Sequence, residues 1–146
     1  MKILIDTREQ NALTGFEDYN TVSCTESIGL KVGDYACEFT DSTRSDTYFE
    51  RKSLGDLFGT LGKGYPRFRK ELERAEKLNY RLILIVEGTI TKVLKGHKYS
   101  KMKGHSILMK MFTLWRRYNL LPVFCKDRDE MTRFIVEYYN SEGRNK

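Results

Sequence analysis

A single α/β domain, with a central β-sheet flanked by helices, is the fold this chain predicts, and three observations carry the prediction. Arg81–Glu87 is apolar at every internal position, the pattern of a strand buried on both faces. Before and after it, segments rich in β-branched and aromatic residues alternate with segments of helical periodicity. The 146 residues, 40% of them hydrophobic, suffice for one domain with a real core and leave no room for a second.

The elements follow in order. Lys2–Asp6 is a strand, and a second lies near Asn20–Glu26. Residues 34–40 and 46–52 are rich in aromatic and β-compatible types, and the turn-like Asp41–Ser45 between them makes a hairpin. Ser53–Phe58 is a short helix with Ser53 as N-cap. Pro66 opens a longer helix to about Leu78, because proline suits a first turn. Arg81–Glu87 is then expected at the centre of the sheet. Thr89–Leu94 forms a helical turn, Gly96–Gly104 a basic loop, and His105–Tyr118 a helix carrying Ile107, Leu108, Met111, Phe112 and Trp115. Leu121–Cys125 is the last strand. From residue 127 to about 140 an amphipathic helix sets Met131, Phe134, Ile135 and Tyr138 on one face, and Ser141–Lys146 is expected to be a disordered tail.

The chemistry concentrates between Gly33 and Asp56. Asp34 and Glu50 are hard oxygen donors of the kind a divalent cation needs. Such a cation polarises a phosphoryl oxygen and lowers the pKa of a bound water, the two requirements of phosphodiester hydrolysis. Lys52 lies two residues after Glu50, so on a strand both emerge on one face while Arg51 points to the other. The hairpin brings Asp34 near the Glu50–Lys52 end of its second strand. Taken singly, a Gly-Asp pair is a common turn and a Glu-Arg-Lys run a common charged strand edge. Their joint occurrence across a hairpin is what points to a nuclease centre.

The pattern Gly33-Asp34, a variable gap, Glu50-Arg51-Lys52, three residues and Asp56 resembles the signature of the XPF-type structure-specific endonucleases, a branch of the restriction-endonuclease-like superfamily. Ile3-Leu4-Ile5-Asp6-Thr7-Arg8-Glu9 is similar to that family's first strand and Asp-x-Arg-Glu element, and Gly62–Phe68 stands where it has a basic loop leading into a helix. The likeness is specific over roughly the first 90 residues. It implies a restriction-endonuclease-like fold with a mixed sheet and a Mg²⁺ or Mn²⁺ cofactor held by Asp34 and Glu50. Lys52 would serve the water, and Asp6, Arg51 and Asp56 would support the site. It also implies a homodimer formed through the C-terminal helical region, where the stripe of Phe134, Tyr138 and Tyr139 lies. Relatives often carry a helix-hairpin-helix or helicase module. The length here has no space for one, so specificity is expected from this domain, a second copy or a partner.

Charge distribution supports a nucleic-acid substrate. The net charge is +6, yet from Gly88 to Cys125 there is no acidic residue, while Lys92, Lys95, Lys98, Lys101, Lys103, Lys110, Arg116 and Arg117 are all basic. Residues 51 to 70 hold six basic residues against Asp56 alone. Such single-sign ground binds phosphates by counterion release without reading sequence. The candidate DNA contacts are Arg8, Lys63, Tyr65, Arg67, Arg69, Lys95, Lys98, Lys101 and Lys103. His97 and His105 lack carboxylates at ligand spacing and are expected at the surface or on phosphates. Trp115 is expected in the core or a dimer interface.

Cys24, Cys37 and Cys125 lack Cys-x-x-Cys spacing and are expected as free thiols. No stretch has the apolar length of a membrane span or a signal peptide, so the expectation is an intracellular protein, cytoplasmic or nucleoid-associated, or nuclear in a eukaryote. Three functions remain open: a metal-dependent endonuclease acting on flaps, forks or four-way junctions, a non-catalytic DNA-binding scaffold, and a restriction-type enzyme cutting linear duplex. The intact set Asp34, Glu50, Lys52 and Asp56 favours the first.

Overall fold

A computed structural model describes residues 1–145. In chain order the elements are β1 (Lys2–Asp6), a 3-10 turn (Phe16–Asp18), β2 (Cys24–Ile28), β3 (Tyr35–Glu38), β4 (Thr47–Ser53), α1 (Leu54–Leu61), α2 (Tyr65–Lys77), β5 (Arg81–Glu87), α3 (Ile90–Leu94), α4 (Gly104–Tyr118), β6 (Leu121–Cys125) and α5 (Arg128–Arg144). They build one six-stranded mixed sheet in the order β2-β1-β3-β4-β5-β6. β1 runs parallel to β2 and antiparallel to β3, β3 is antiparallel to β4, and β4, β5 and β6 are parallel to one another.

Because strand side chains alternate, the sheet feeds two cores. Leu4, Ala36, Tyr48, Leu82, Leu84 and Val86 face α1, α2, α3 and α4, where Leu57, Leu61, Phe68, Leu72 and Met111 meet them. Ile3, Tyr35, Cys37, Phe49, Ile83 and Ile85 face α5 and the 3-10 turn, packing on Phe16, Met131, Ile135, Val136 and Tyr139. This partition decides what surrounds the catalytic candidates. Glu50 and Lys52 share the phase of Tyr48 and point to the α1–α2 side, whereas Arg51 shares the phase of Phe49 and points the other way.

Several expectations need adjustment. β5 is interior but lies one strand from the edge; the middle of the sheet is the β3–β4 pair. β2 begins at Cys24 rather than near Asn20, because its register follows its pairing with β1, Lys2 opposite Cys24. The tail expected to be disordered from Ser141 is helical through Arg144, and Glu142 Oε1 accepts a hydrogen bond from Ser45 Oγ at 3.0 Å. Its polar composition concealed a docking site on the β3–β4 turn; Lys146 lies outside the described residues. Within the aromatic stripe of α5, expected at a dimer surface, Tyr139 is buried, while Phe134 and Tyr138 are half-buried against the core. Phe134, Tyr138 and Tyr139 surround Phe49 edge-on at 6.0, 5.6 and 5.5 Å between centroids, and the buried Tyr139 hydroxyl donates to Thr47 O at 2.6 Å. Trp115, by contrast, is 42% exposed on α4.

The cysteines are free, with Cys37 and Cys125 buried and Cys24 exposed. Among the described residues no helix is long and apolar enough to cross a membrane.

Candidate active site

The site begins with a turn. Gly33 has φ +72°, and a Cβ there would approach Tyr48 Cβ to 3.1 Å and Phe49 O to 3.2 Å, so both conformation and space demand glycine. The turn delivers Asp34 alongside β4: its N–H donates to Phe49 O at 2.7 Å, and its Oδ2 accepts from Arg51 N at 2.8 Å. Past Phe49 the β3 backbone no longer faces β4, and the Asp34 side chain takes the place of the missing ladder acceptor. One short bond thereby locks the first carboxylate against the strand that carries the second.

Glu50 is held between β3 and β5, opposite Leu84 in the β4–β5 register, and is 5% exposed. Burial pushes its carboxyl well above the usual carboxylate range, and the nearby Glu71 and Asp34 push it further while Lys52 opposes them. Burial also raises Asp34, against the lowering effect of its contacts with Glu50 and the Arg51 amide. Lys52 Nζ lies 3.8 Å from Glu50 Oε1, an ion pair without a hydrogen bond, and leaves the ammonium free to meet a further acceptor. Glu71 Oε1, projecting from α2, is buried and has no hydrogen-bond partner. The Glu50 and Glu71 carboxylates lie close enough to raise the Glu50 pKa, and a shared proton or a cation would relieve their repulsion.

Two converging hard-oxygen donors, Glu50 buried and Asp34 half-buried, suit the divalent metal expected from the residue types. Asp34 and Glu50 are the residues that would hold it. Among the described residues no group of three or more His, Cys, Asp or Glu side chains is gathered in metal-holding geometry.

The supporting residues divide. Arg51 faces the α5 side and forms a bidentate pair with Glu9, Nε to Oε2 at 2.9 Å and Nη2 to Oε1 at 3.1 Å, both side chains buried. Asp6 is a backbone organiser: Oδ1 accepts from Leu30 N at 2.9 Å, and Oδ2 from Arg8 Nε at 2.8 Å. Arg8 in turn reaches Leu30 O, remains largely exposed, and feels the charges of Glu71 and Asp34. The structure does not bring Asp56 to the carboxylates. It is exposed in the first turn of α1, where its amide donates to the Ser53 cap at 3.2 Å, and it lines a groove with Lys52 and Arg67.

Of the expected DNA contacts, Lys63, Arg67, Lys95, Lys98, Lys101 and Lys103 are exposed. Two are engaged elsewhere. Tyr65 packs against the core beneath Lys110, whose Nζ sits 4.5 Å from its ring centroid. Arg69 donates to the Tyr118 hydroxyl at 3.3 Å. Sequence reasoning passed over Glu9 and Glu71. Glu9 is part of the Asp-x-Arg-Glu element, which was a usable signal; Glu71 is one charge among many on α2 and offered none.

The geometry accords with a comparison of sequences. The ERCC4 domain family model matches residues 5–138, a span that includes every residue of the candidate site. The chain belongs to the ERCC4 domain family. Its ERCC4 domain is an XPF-type nuclease domain in fold, with the expected mixed sheet: XPF from Aeropyrum pernix superposes with a TM-score of 0.68 at 19% identity, covering 92% of this chain and 61% of that one. The structure of XPF from Aeropyrum pernix in complex with DNA superposes with a TM-score of 0.72 at 18% identity, covering 99% and 66%. This ERCC4 domain therefore spans about two thirds or less of those chains. No curated protein matches the sequence.

Proposed function

We propose that this ERCC4 domain is a Mg²⁺- or Mn²⁺-dependent endonuclease that hydrolyses phosphodiester bonds in branched DNA. The observation carrying the reading is the convergence of Asp34, Glu50 and Lys52 at one end of β4, a half-buried and a buried carboxylate, both of raised pKa, beside an ammonium. A structural ion pair has no need of an acidic surplus, whereas a cation-dependent site does.

In this mechanism Asp34 and Glu50 would hold the metal, which would supply polarisation of a phosphoryl oxygen and activation of a water. Lys52 is placed to orient that water or to neutralise charge developing on the phosphate. Arg8 and Arg67, exposed at the margins of the site, hold the flanking phosphates. Arg51, through Glu9, keeps β4 in register without touching substrate. Lys95, Lys98, Lys101 and Lys103 extend the basic ground beyond the site. A second copy is proposed to pair through the C-terminal helical region, where Phe134 and Tyr138 of α5 remain half-exposed. Location would be inside the cell, with the DNA.

The test is incubation of labelled duplex, flap, fork and four-way-junction DNA with and without Mg²⁺ or Mn²⁺, beside Asp34→Ala and Lys52→Ala. Metal-dependent cutting near the branch that both variants lose is the expected result. Binding without products would assign the domain to a scaffold, and discrete fragments from linear duplex would assign it to a restriction-type enzyme.

A further inference from the structure

We propose that the groove between α1 and the basic loop 95–103 holds an unpaired strand of the substrate, with Tyr99 stacking on one of its bases; the inference rests on the DNA-cleaving reading above. Tyr99 is 82% exposed, the most exposed large apolar side chain described, and it contributes to neither core. A ring so displayed is open to stack on a ligand.

The ring is held in place rather than trailing from a loose loop. The His97 ring lies 5.9 Å from that of Phe58, a buried residue of α1, and 5.6 Å from that of Tyr99. Ser100 N donates to His97 O at 2.9 Å, Met102 N donates to Ser100 Oγ at 3.1 Å, and Met102 packs on the core. At the loop's exit, a Cβ on Gly104 would collide with Val93 O, so α3 and α4 approach too closely there for any other residue. Fixing both flanks reduces the ordering cost of presenting Tyr99 to a ligand.

Two grooves join this ring to the catalytic lysine. One, of about 530 Å³, is lined by Gly55, Gly59, Lys63, Tyr99 and Lys101 among others. The next, of about 400 Å³, is lined by Lys52, Gly55, Gly59 and Arg67. They share Gly55 and Gly59, so the two grooves adjoin along α1 between Lys52 and Tyr99. Nothing lies within 4 Å of where a Gly59 side chain would begin, which lets a sugar-phosphate chain approach the helix closely. Lys63, Lys101 and Arg67 supply charge for its phosphates, and Lys98 Nζ, 4.9 Å from the Tyr99 centroid, adds a cation beside the stack. The occupant is single-stranded because bases within a duplex already stack on each other and offer no face to a ring.

The experiment measures binding by fluorescence anisotropy in EDTA, where no cutting occurs, for wild type, Tyr99→Ala and Tyr99→Phe on duplex and on flap DNA. The flap carries 2-aminopurine in its unpaired arm. Tyr99→Ala is expected to weaken flap binding about tenfold and duplex binding less than about twofold. It should also abolish the 2-aminopurine quenching seen with wild type, and Tyr99→Phe should retain both. Because Tyr99 is exposed, the thermal melt of each variant should match wild type. An equal loss on duplex and flap, no loss on either, or a wild type that does not bind DNA overturns the proposal. If wild type binds flaps with this dependence on Tyr99 but gives no products with Mg²⁺ or Mn²⁺, only the nuclease reading fails.

Discussion

Arg51 and Glu9 meet in a bidentate ion pair on the face of β4 opposite to Glu50, with side chains only 7% and 9% exposed. Removing one partner strands a buried charge. Glu9→Ala is expected to lower the unfolding free energy by about 3–5 kcal/mol in urea denaturation. Lys2→Ala, which removes the exposed pairs with Glu26 and Glu38, should cost no more than about 1 kcal/mol. Equal costs for the two would contradict the assignment of Arg51 as an internal strut.

Among the described residues Lys52 forms its ion pair with Glu50, at 3.8 Å, and also lies within the electrostatic reach of Asp34. Lys52→Ala should therefore fold normally yet cut branched DNA about 10²–10⁴-fold more slowly, the usual contribution of a positioned proton-transfer or charge-neutralising group. Single-turnover kinetics at saturating enzyme separates this from weaker binding; an unchanged rate would remove Lys52 from the chemistry.

The raised pKa of Glu50 gives a signed pH dependence. A carboxyl whose folded pKa lies above its unfolded value stabilises the fold fully below the ordinary carboxylate range, and that contribution is lost as pH rises through the folded value. A cation binds the ionised form, so the rise in Tm on adding saturating Mn²⁺ should grow with pH across the same window. Glu50→Gln should raise the Tm of the metal-free protein at neutral pH and flatten the Mn²⁺ response. Calorimetry at several pH values decides it; a Mn²⁺ response of one size throughout would place the ion elsewhere.

Basic residues differ in their freedom to meet phosphate. Lys101→Ala and Arg67→Ala should each reduce the slope of log K against log salt by about one, whereas Arg69→Ala, whose guanidinium is bonded to Tyr118, should change it little. Titration at several salt concentrations measures all three.

Much of the fold was legible because its local signals were strong. The apolar run 81–87, the Ser53 cap and Pro66 at the head of α2 each mark their element through a short-range preference that packing did not override. The extent of α5 was not legible: Asn140 to Arg144 is polar enough for a tail, and only the contact between Glu142 and Ser45 reveals why it stays helical. Nor was the burial of Tyr139, since periodicity defines a face but not what covers it.

The site divides along the same line. The sequence alone determined the candidate set, because alternation in a strand places Glu50 and Lys52 on one face and Arg51 on the other whatever surrounds them. It expected Asp34 at the start of the facing strand, whereas the structure holds it in the turn just before β3. Only the tertiary structure decided the partners: Glu9 for Arg51, Glu71 against Glu50, an exposed Asp56 away from the carboxylates, and Tyr99 at the end of a groove from Lys52. These contacts join residues far apart in the chain. No local preference encodes them, and they arise when the two faces of the sheet are closed by different helices.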